Sequence, residues 1–302
     1  MFKNVMMYRM AGWPTSVAAL EAALERARFV ECSAQQDKSV GWSAPRGVDH
    51  AALVEVVAGQ WLLKLMIEVK VLPTAVVKRR VQEHIAQIEA SSGRKPGRKE
   101  RRDLAEDARL ALLPQAFTKQ SCVMLWADPR SGRLVTDAGS QAKADEAITW
   151  LVKAVDALLV QPIDTHSAPA TAMALWLSER EAPPGFGIDR ECELKAADAS
   201  GAVVRYTRHA IDTEEVSRHI ELGKVPTRLA LTWASRVSLV LTQTLQLKKV
   251  TFLETVFEHA ETAATDSADD NFDGDVAIAT GELGKLIPEL LEALGGVVAS
   301  TA

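Results

Sequence analysis

Residues 94–102, RKPGRKERR, place six cationic side chains in nine positions: Arg94, Lys95, Arg98, Lys99, Arg101 and Arg102. Guanidinium and ammonium groups at this density do one kind of chemistry well, the pairing of phosphates. Each cation that meets a phosphate of duplex DNA releases condensed counterions, which supplies affinity without reading sequence. Gly93 and Gly97 flank and interrupt the run, and glycine lets a backbone approach phosphates closely. No aromatic residue lies among the cations, which argues against a stacking platform for single strands. Phosphate contact without base readout is therefore the expectation for this stretch.

The cations stand out because the chain of 302 residues is acidic, with a net charge of −5. Between Lys78 and Lys119 there are eleven Lys/Arg and six Asp/Glu, a net of +5. The remainder carries 24 basic against 34 acidic residues, and after Leu253 eleven acidic side chains face a single Lys285. Such asymmetry points to a polyanion-binding surface on one part and a solvated or repelling surface elsewhere.

Other residues with chemical potential fail the spacing their chemistry requires. GELGK (281–285) has the end of a phosphate-binding loop but no upstream glycine, and Leu286 stands where a Ser or Thr would hold magnesium. Asp269, Asn271, Asp273 and Gly274 match the first half of a calcium loop, but its twelfth position is Thr280, inside VAIAT (276–280), which reads as a strand. An acidic loop before a strand is the plainer account. The histidines, His50, His84, His166, His209, His219 and His259, form no HExxH and no zinc spacing with cysteine. GxSxG and GxGxxG are absent. Carboxylates are plentiful, so a metal-dependent nuclease is the rival. A module whose basic hairpin docks on an acidic partner is a third reading. Charge asymmetry favours binding over catalysis, with no cofactor.

The elements that must position these residues follow from periodicity. Apolar residues at 47% and charged residues at 25% are ordinary for a globular chain with a sizeable core. Cys32, Cys122 and Cys192 are widely spaced and odd in number, as expected of reduced thiols in a cytoplasm. No apolar run is long enough to span a membrane. The start, MFKNVMMYRM, lacks a secretory leader's apolar core and reads as a first strand. WLLKLMIEVKVL (61–72) alternates as a half-buried strand, paired with LVEVV (53–57) across Ala58–Gly59. Pro73 opens a helix to about Ala90, with Val77, Val81, Ile85 and Ile88 as its stripe. Gly93, Pro96 and Gly97 break it, and a second helix runs from about Lys99 to Leu113 with Leu104, Ala108, Ala111 and Leu112 turned inward. The cations thus sit at the tip of a helical hairpin.

Further strands are expected at 121–127, 133–137, 189–195, 201–208, 227–233, 236–242 and 246–252. Helices are expected over 140–159, after Asp212 or Thr213 as cap, and over GELGKLIPELLEAL. The fold class is α+β, with mixed or antiparallel sheets, flanking helices and the protruding hairpin. Residues 1–72 and 118–165 form an N-terminal α/β region, 73–117 the inserted arm, and 166–302 a C-terminal α/β region.

Several stretches, in order along the chain, carry a family likeness: FKNVMMYR, GW (41–42), LLPQAF (112–117), Trp126 with Asp128 and Gly132 in a hairpin, APPGFG (182–187), HIELGKV (219–225) with TRLALTW, and TGEL through EALGG near the end. Together they resemble the RdgC family of bacterial recombination-associated proteins along the whole length. The resemblance implies a ring-shaped homodimer that encloses duplex DNA with little sequence preference, restrains the RecA recombinase and lacks enzymatic activity. It implies a cytoplasmic, nucleoid-associated protein with no membrane partner. Phe117 matches a residue at a dimer contact, the gate of the ring; ordinary packing after a helix stop is the alternative. Gln115 lies beside it where relatives can have an arginine. Arg208 and Lys224 match basic positions associated with DNA contact, and Lys119 joins that set. His209 departs from a polar amide.

Overall fold

The computed structural model describes residues 1–47, 52–211, 214–257 and 268–299. Alternating stretches pair into one antiparallel sheet of twelve strands. From the first edge the order is β2 (Lys38–Ser43), β4 (Gln60–Val71), β5 (Phe117–Asp128), β6 (Arg133–Asp137) and β1 (Val5–Ala11). It continues through β12 (Leu247–Phe252), β11 (Val237–Thr242), β10 (Lys224–Trp233), β8 (Phe186–Ala196) and β9 (Val203–Thr207). Two short strands lie off this path, β3 (Glu55–Val57) on β4 and β7 (Leu159–Pro162) on β1. The expected α+β class holds, and a single sheet crosses the N-terminal and C-terminal regions at β1, which pairs with β6 and touches β12 at Val5↔Leu247.

Period-two alternation divides the core into two layers. Odd positions of β4 and β5 (Leu63, Leu65, Ile67, Val123, Leu125) face helices α1 (Val17–Glu25) and α4 (Gln141–Ala154), which supply Leu20, Leu24, Ala144, Ala147 and Leu151. This is the first face. Leu62, Trp126, Val135, Leu229, Leu231, Leu239 and Leu241 lie on the second face. There they meet α5 (Pro169–Glu179), α6 (Glu214–Glu221) and the long α8 (Ala268–Ala293), which comes after the one-turn α7 (Glu254–Phe257) in the chain. Ser16 caps α1 by accepting from the Ala19 amide at 3.2 Å. In the GW pair, Trp42 is fully buried, and any Cβ at Gly41 would come within 2.5 Å of the Phe29 backbone. Only glycine allows the segment after α1 to lie so close to β2.

Arg46 ties the N-terminal half to α8. Its guanidinium meets Glu55 Oε2 at 3.1 Å and Asp273 Oδ1 at 2.6 Å, and lies 4.6 Å from the centre of the Phe272 ring.

VAIAT, expected as a strand, is part of α8, and the acidic DDNFDG segment before it enters the same helix at Ala268. The stripe Val276, Ala279, Leu283, Leu286, Ile287, Leu290, Leu294 is buried at helical spacing. A five-residue window of small and β-branched residues hides that longer period. The calcium-loop likeness therefore has no loop behind it. The helix expected over 140–159 stops at Ala154, where Val155 turns extended. Strands β2 and β7 and helix α5 were not anticipated. The proposed cap residues Asp212 and Thr213, and His50 and His259, lie outside the described residues.

The three thiols are free and differ in exposure. Cys122 is exposed, and Cys32 is half-buried with its Sγ donating to the Glu68 carbonyl at 3.7 Å. Cys192 is fully buried, and burial pushes its thiol up to about 11. Ellman's reagent at neutral pH will show one fast thiol, lost in Cys122→Ser, while Cys192 reacts only on unfolding. A fast phase surviving in Cys122→Ser would contradict this order.

Candidate nucleic-acid interface

The arm is an αα hairpin inserted between β4 and β5. Helix α2 (Thr74–Ser92) ends where Gly93 turns left-handed at φ 68°, its amide donating to the Glu89 carbonyl at 2.9 Å. Gly97 is extended and precedes α3 (Arg98–Leu112). The two helices pack mainly on each other: α2 has no fully buried residue and α3 has one, Ala108. Of the other positions expected inward, Leu104 and Leu112 are half-buried and Ala111 is exposed. An arm that projects from the sheet has only its own partner helix to cover its stripe. Its base is fixed by Lys70, whose Nζ donates to the carbonyls of Leu113 (2.9 Å) and Ala34 (2.8 Å), and by the Arg109–Asp37 ion pair at 2.5 Å.

The six tip cations are not equivalent. Arg94 grips Glu100 with both terminal guanidinium nitrogens, at 2.7 and 2.9 Å. That hydrogen-bonded fork holds the Glu100 carboxyl below its usual range. Arg101 Nε donates to the Pro96 carbonyl at 3.0 Å and so closes the turn. Lys95, Arg98, Lys99 and Arg102 are exposed and have no acidic partner among the described residues. These four are the cations available to an incoming polyanion.

Where α3 ends, Leu113–Gln115 form one 3₁₀ turn, with Leu113 buried and Gln115 exposed. Phe117 follows at the start of β5 and is 87% exposed, so it is not packed in the core. Directly opposite is Val71, 47% exposed, and two pairs further along Val69 faces Lys119. By strand parity Phe117, Lys119, Val69 and Val71 share the first face of the sheet. β6 pairs β5 only from Met124 onward, so among the described residues Phe117–Val123 has an open edge.

A second basic surface lies on the same face, over β12 to β9, beyond the cover of α1 and α4. Strand register brings together Lys195, Arg205, Arg228, Lys248 and Lys249, and Arg208 borders them. Against these six stand Asp189, Glu191 and Glu193. Glu193 takes a hydrogen bond from Thr227 at 2.7 Å and pairs with Arg205, which together hold its carboxyl low. Lys249, in a left-handed bulge at φ 53°, reaches Glu191 at 2.7 Å. Asp189 accepts from the Thr232 hydroxyl at 2.7 Å. Arg228 and Arg208 are exposed and make no ion pair among the described residues, although the charge of Arg228 also helps to hold the Glu193 carboxyl low. The strands carrying this surface lie three to seven places from β5, about 15–35 Å across the sheet.

Arg208 and Lys224, both singled out in the sequence, are not brought together. Arg208 stands beside Arg190 on the first face. Lys224 begins β10 about 20 Å along the strands and points toward α6, where its Nζ meets His219 Nδ1 at 2.8 Å. His209 is exposed, its Nδ1 2.7 Å from the Ala210 carbonyl. Sequence reasoning missed Lys195, Arg205, Arg228, Lys248 and Lys249. Their only signal was a basic residue at alternate positions in strands whose order was unknown.

Among the described residues, no group of three or more His, Cys, Asp and Glu is placed to hold a metal ion. No helix among them is long and apolar enough to cross a membrane.

A family profile described as "Putative exonuclease, RdgC" matches residues 1–297. The "Recombination-associated protein RdgC" of Dechloromonas aromatica is 42% identical over 301 residues, covering 98% of each chain. The proteins of that name in Herminiimonas arsenicoxydans and Bordetella pertussis are each 42% identical over 296 residues, again covering 98% of each chain. With APPGFG leading into β8, TRLALTW on β10, and matches that span its length, this chain belongs to the RdgC family of recombination-associated proteins.

Proposed function

We propose that this chain binds duplex DNA without sequence preference, as a dimer closed around the duplex, and catalyses no reaction. The observation that carries the reading is the presence, on an acidic chain, of two basic surfaces that each keep cations without an ion pair among the described residues. One is the arm tip with Lys95, Arg98, Lys99 and Arg102, and the other is the strand surface with Arg208 and Arg228. Cations gathered on two surfaces of a chain with net charge −5 draw phosphates to those surfaces. Phe117, Val71 and the open edge of β5 supply the contact between copies, since an exposed Phe beside an unpaired strand is a poor free surface. Enclosure of duplex DNA obstructs the spread of a recombinase filament such as that of RecA, and places the protein on the nucleoid.

A nuclease is the second reading, favoured by the word exonuclease in the family description. One experiment separates the two. The protein is incubated with end-labelled linear duplex and with closed circular duplex, in magnesium and then manganese. Clamping predicts intact DNA, and complexes on the circle that outlast those on the linear form. Shortening of the linear duplex from its ends would replace the clamp with the nuclease.

A further inference from the structure

At the end of the sheet opposite the arm, about 33 Å along β4 from Val71, the loop after β1 meets the turns of two hairpins. They enclose a cleft of about 570 Å³, a volume suited to a small ligand. Trp13 and Trp61 form its aromatic wall, with ring centroids 5.9 Å apart and planes at 79°. Both rings are only half-buried. Trp13 Nε1 is buried and has no acceptor among the described residues. A buried donor left unmade is costly, and a small turn of the ring that presents it to a ligand removes the cost.

Arg130 is the single charged residue of the lining, and no carboxylate joins it, although the chain as a whole is acidic. The nearest acid in sequence, Asp128, is already used by the turn: it accepts from the Arg130 amide at 3.1 Å and the Ser131 hydroxyl at 2.7 Å. Gly59, left-handed at φ 82°, makes the hairpin turn against which the guanidinium lies in van der Waals reach. The lining therefore offers two tryptophan faces set edge to face, an orphaned N–H that a small ring turn would expose, and one planar cation with no carboxylate in the described lining.

We propose that this cleft binds an unpaired nucleotide of single-stranded DNA, its base against the tryptophan pair and its phosphate on Arg130. A proline-rich peptide would also use an aromatic wall, but it leaves the guanidinium without a counter-ion. The site is separate from both basic surfaces and does not depend on the duplex clamp.

The test is titration of a short 5′-phosphorylated oligothymidylate, read by tryptophan fluorescence and by anisotropy of a labelled copy. Trp13→Ala and Arg130→Ala should each weaken binding roughly tenfold. Trp13→Phe, which keeps a stacking face, should stay near the parent protein and guards against a folding artefact. Neutralising the four free tip cations should leave the fluorescence response at the cleft in place, so failure of the clamp and failure of this site read differently. Equal oligothymidylate affinity in parent, Trp13→Ala and Arg130→Ala overturns the proposal. So does a response saturated by an acidic proline-rich peptide but not by the oligonucleotide.

Discussion

Replacing Lys95, Arg98, Lys99 and Arg102 together by Ala will cut the salt dependence of duplex binding by about 3.6 in the slope of log K against log salt, from about 0.9 per phosphate contact. Between 50 and 200 mM salt, a slope change of that size removes roughly two powers of ten of the affinity loss. The four side chains are exposed and have no acidic partner, so their removal should not move the melting temperature. Arg94 gives a sharper check, because Glu100 already neutralises it. Arg94→Ala should change the slope little, whereas Glu100→Ala frees a fifth cation and should tighten binding. Filter binding or anisotropy over a salt series measures all three. An unchanged slope in the quadruple variant removes the arm from the DNA-binding surface.

Phe117→Ser will weaken self-association without unfolding the chain. Burying one Phe is worth about 1.5–3 kcal/mol, so each ring lost from an interface raises the dissociation constant roughly 10- to 150-fold. In a two-fold interface the same residue is lost twice, and the effects multiply. Because Phe117 is 87% exposed within one copy, thermal melting of the monomer should be unchanged. Val71→Ser should act in the same direction and less strongly, since half of Val71 is already covered. Sedimentation across a concentration series decides it. An unaltered dimerisation constant in Phe117→Ser would locate the contact elsewhere.

The arm was legible because its signals are local: a period of 3.6 in Val77, Val81, Ile85 and Ile88, and Gly93, Pro96 and Gly97 at the break. The strand at 60–71 was equally clear from its alternation. Legibility ended where structure depends on partners distant in the chain. VAIAT has the composition of a strand, and only the stripe through Leu294 makes it helical. The strand-borne basic surface needs five strands placed side by side, and no periodicity states which strand neighbours which. At the tip the count of cations was readable, but the capture of Arg94 by Glu100 depends on a turn whose geometry spacing alone does not fix.

The position of β1 bears on how the chain is made. Residues 5–11 are among the first to leave the ribosome, yet their neighbours in the sheet come from β6, β7 and β12. Val5 waits for Asp137, which at about 5–20 residues per second takes roughly 7–26 s to synthesise. During that interval β1 is an apolar strand with no partner, and the later pairing of Val5 with Leu247 is slower still. Nascent chains of this protein thus pass through a long window in which β1 is open to chaperones, a delay set by strand order and not by the strength of any one contact.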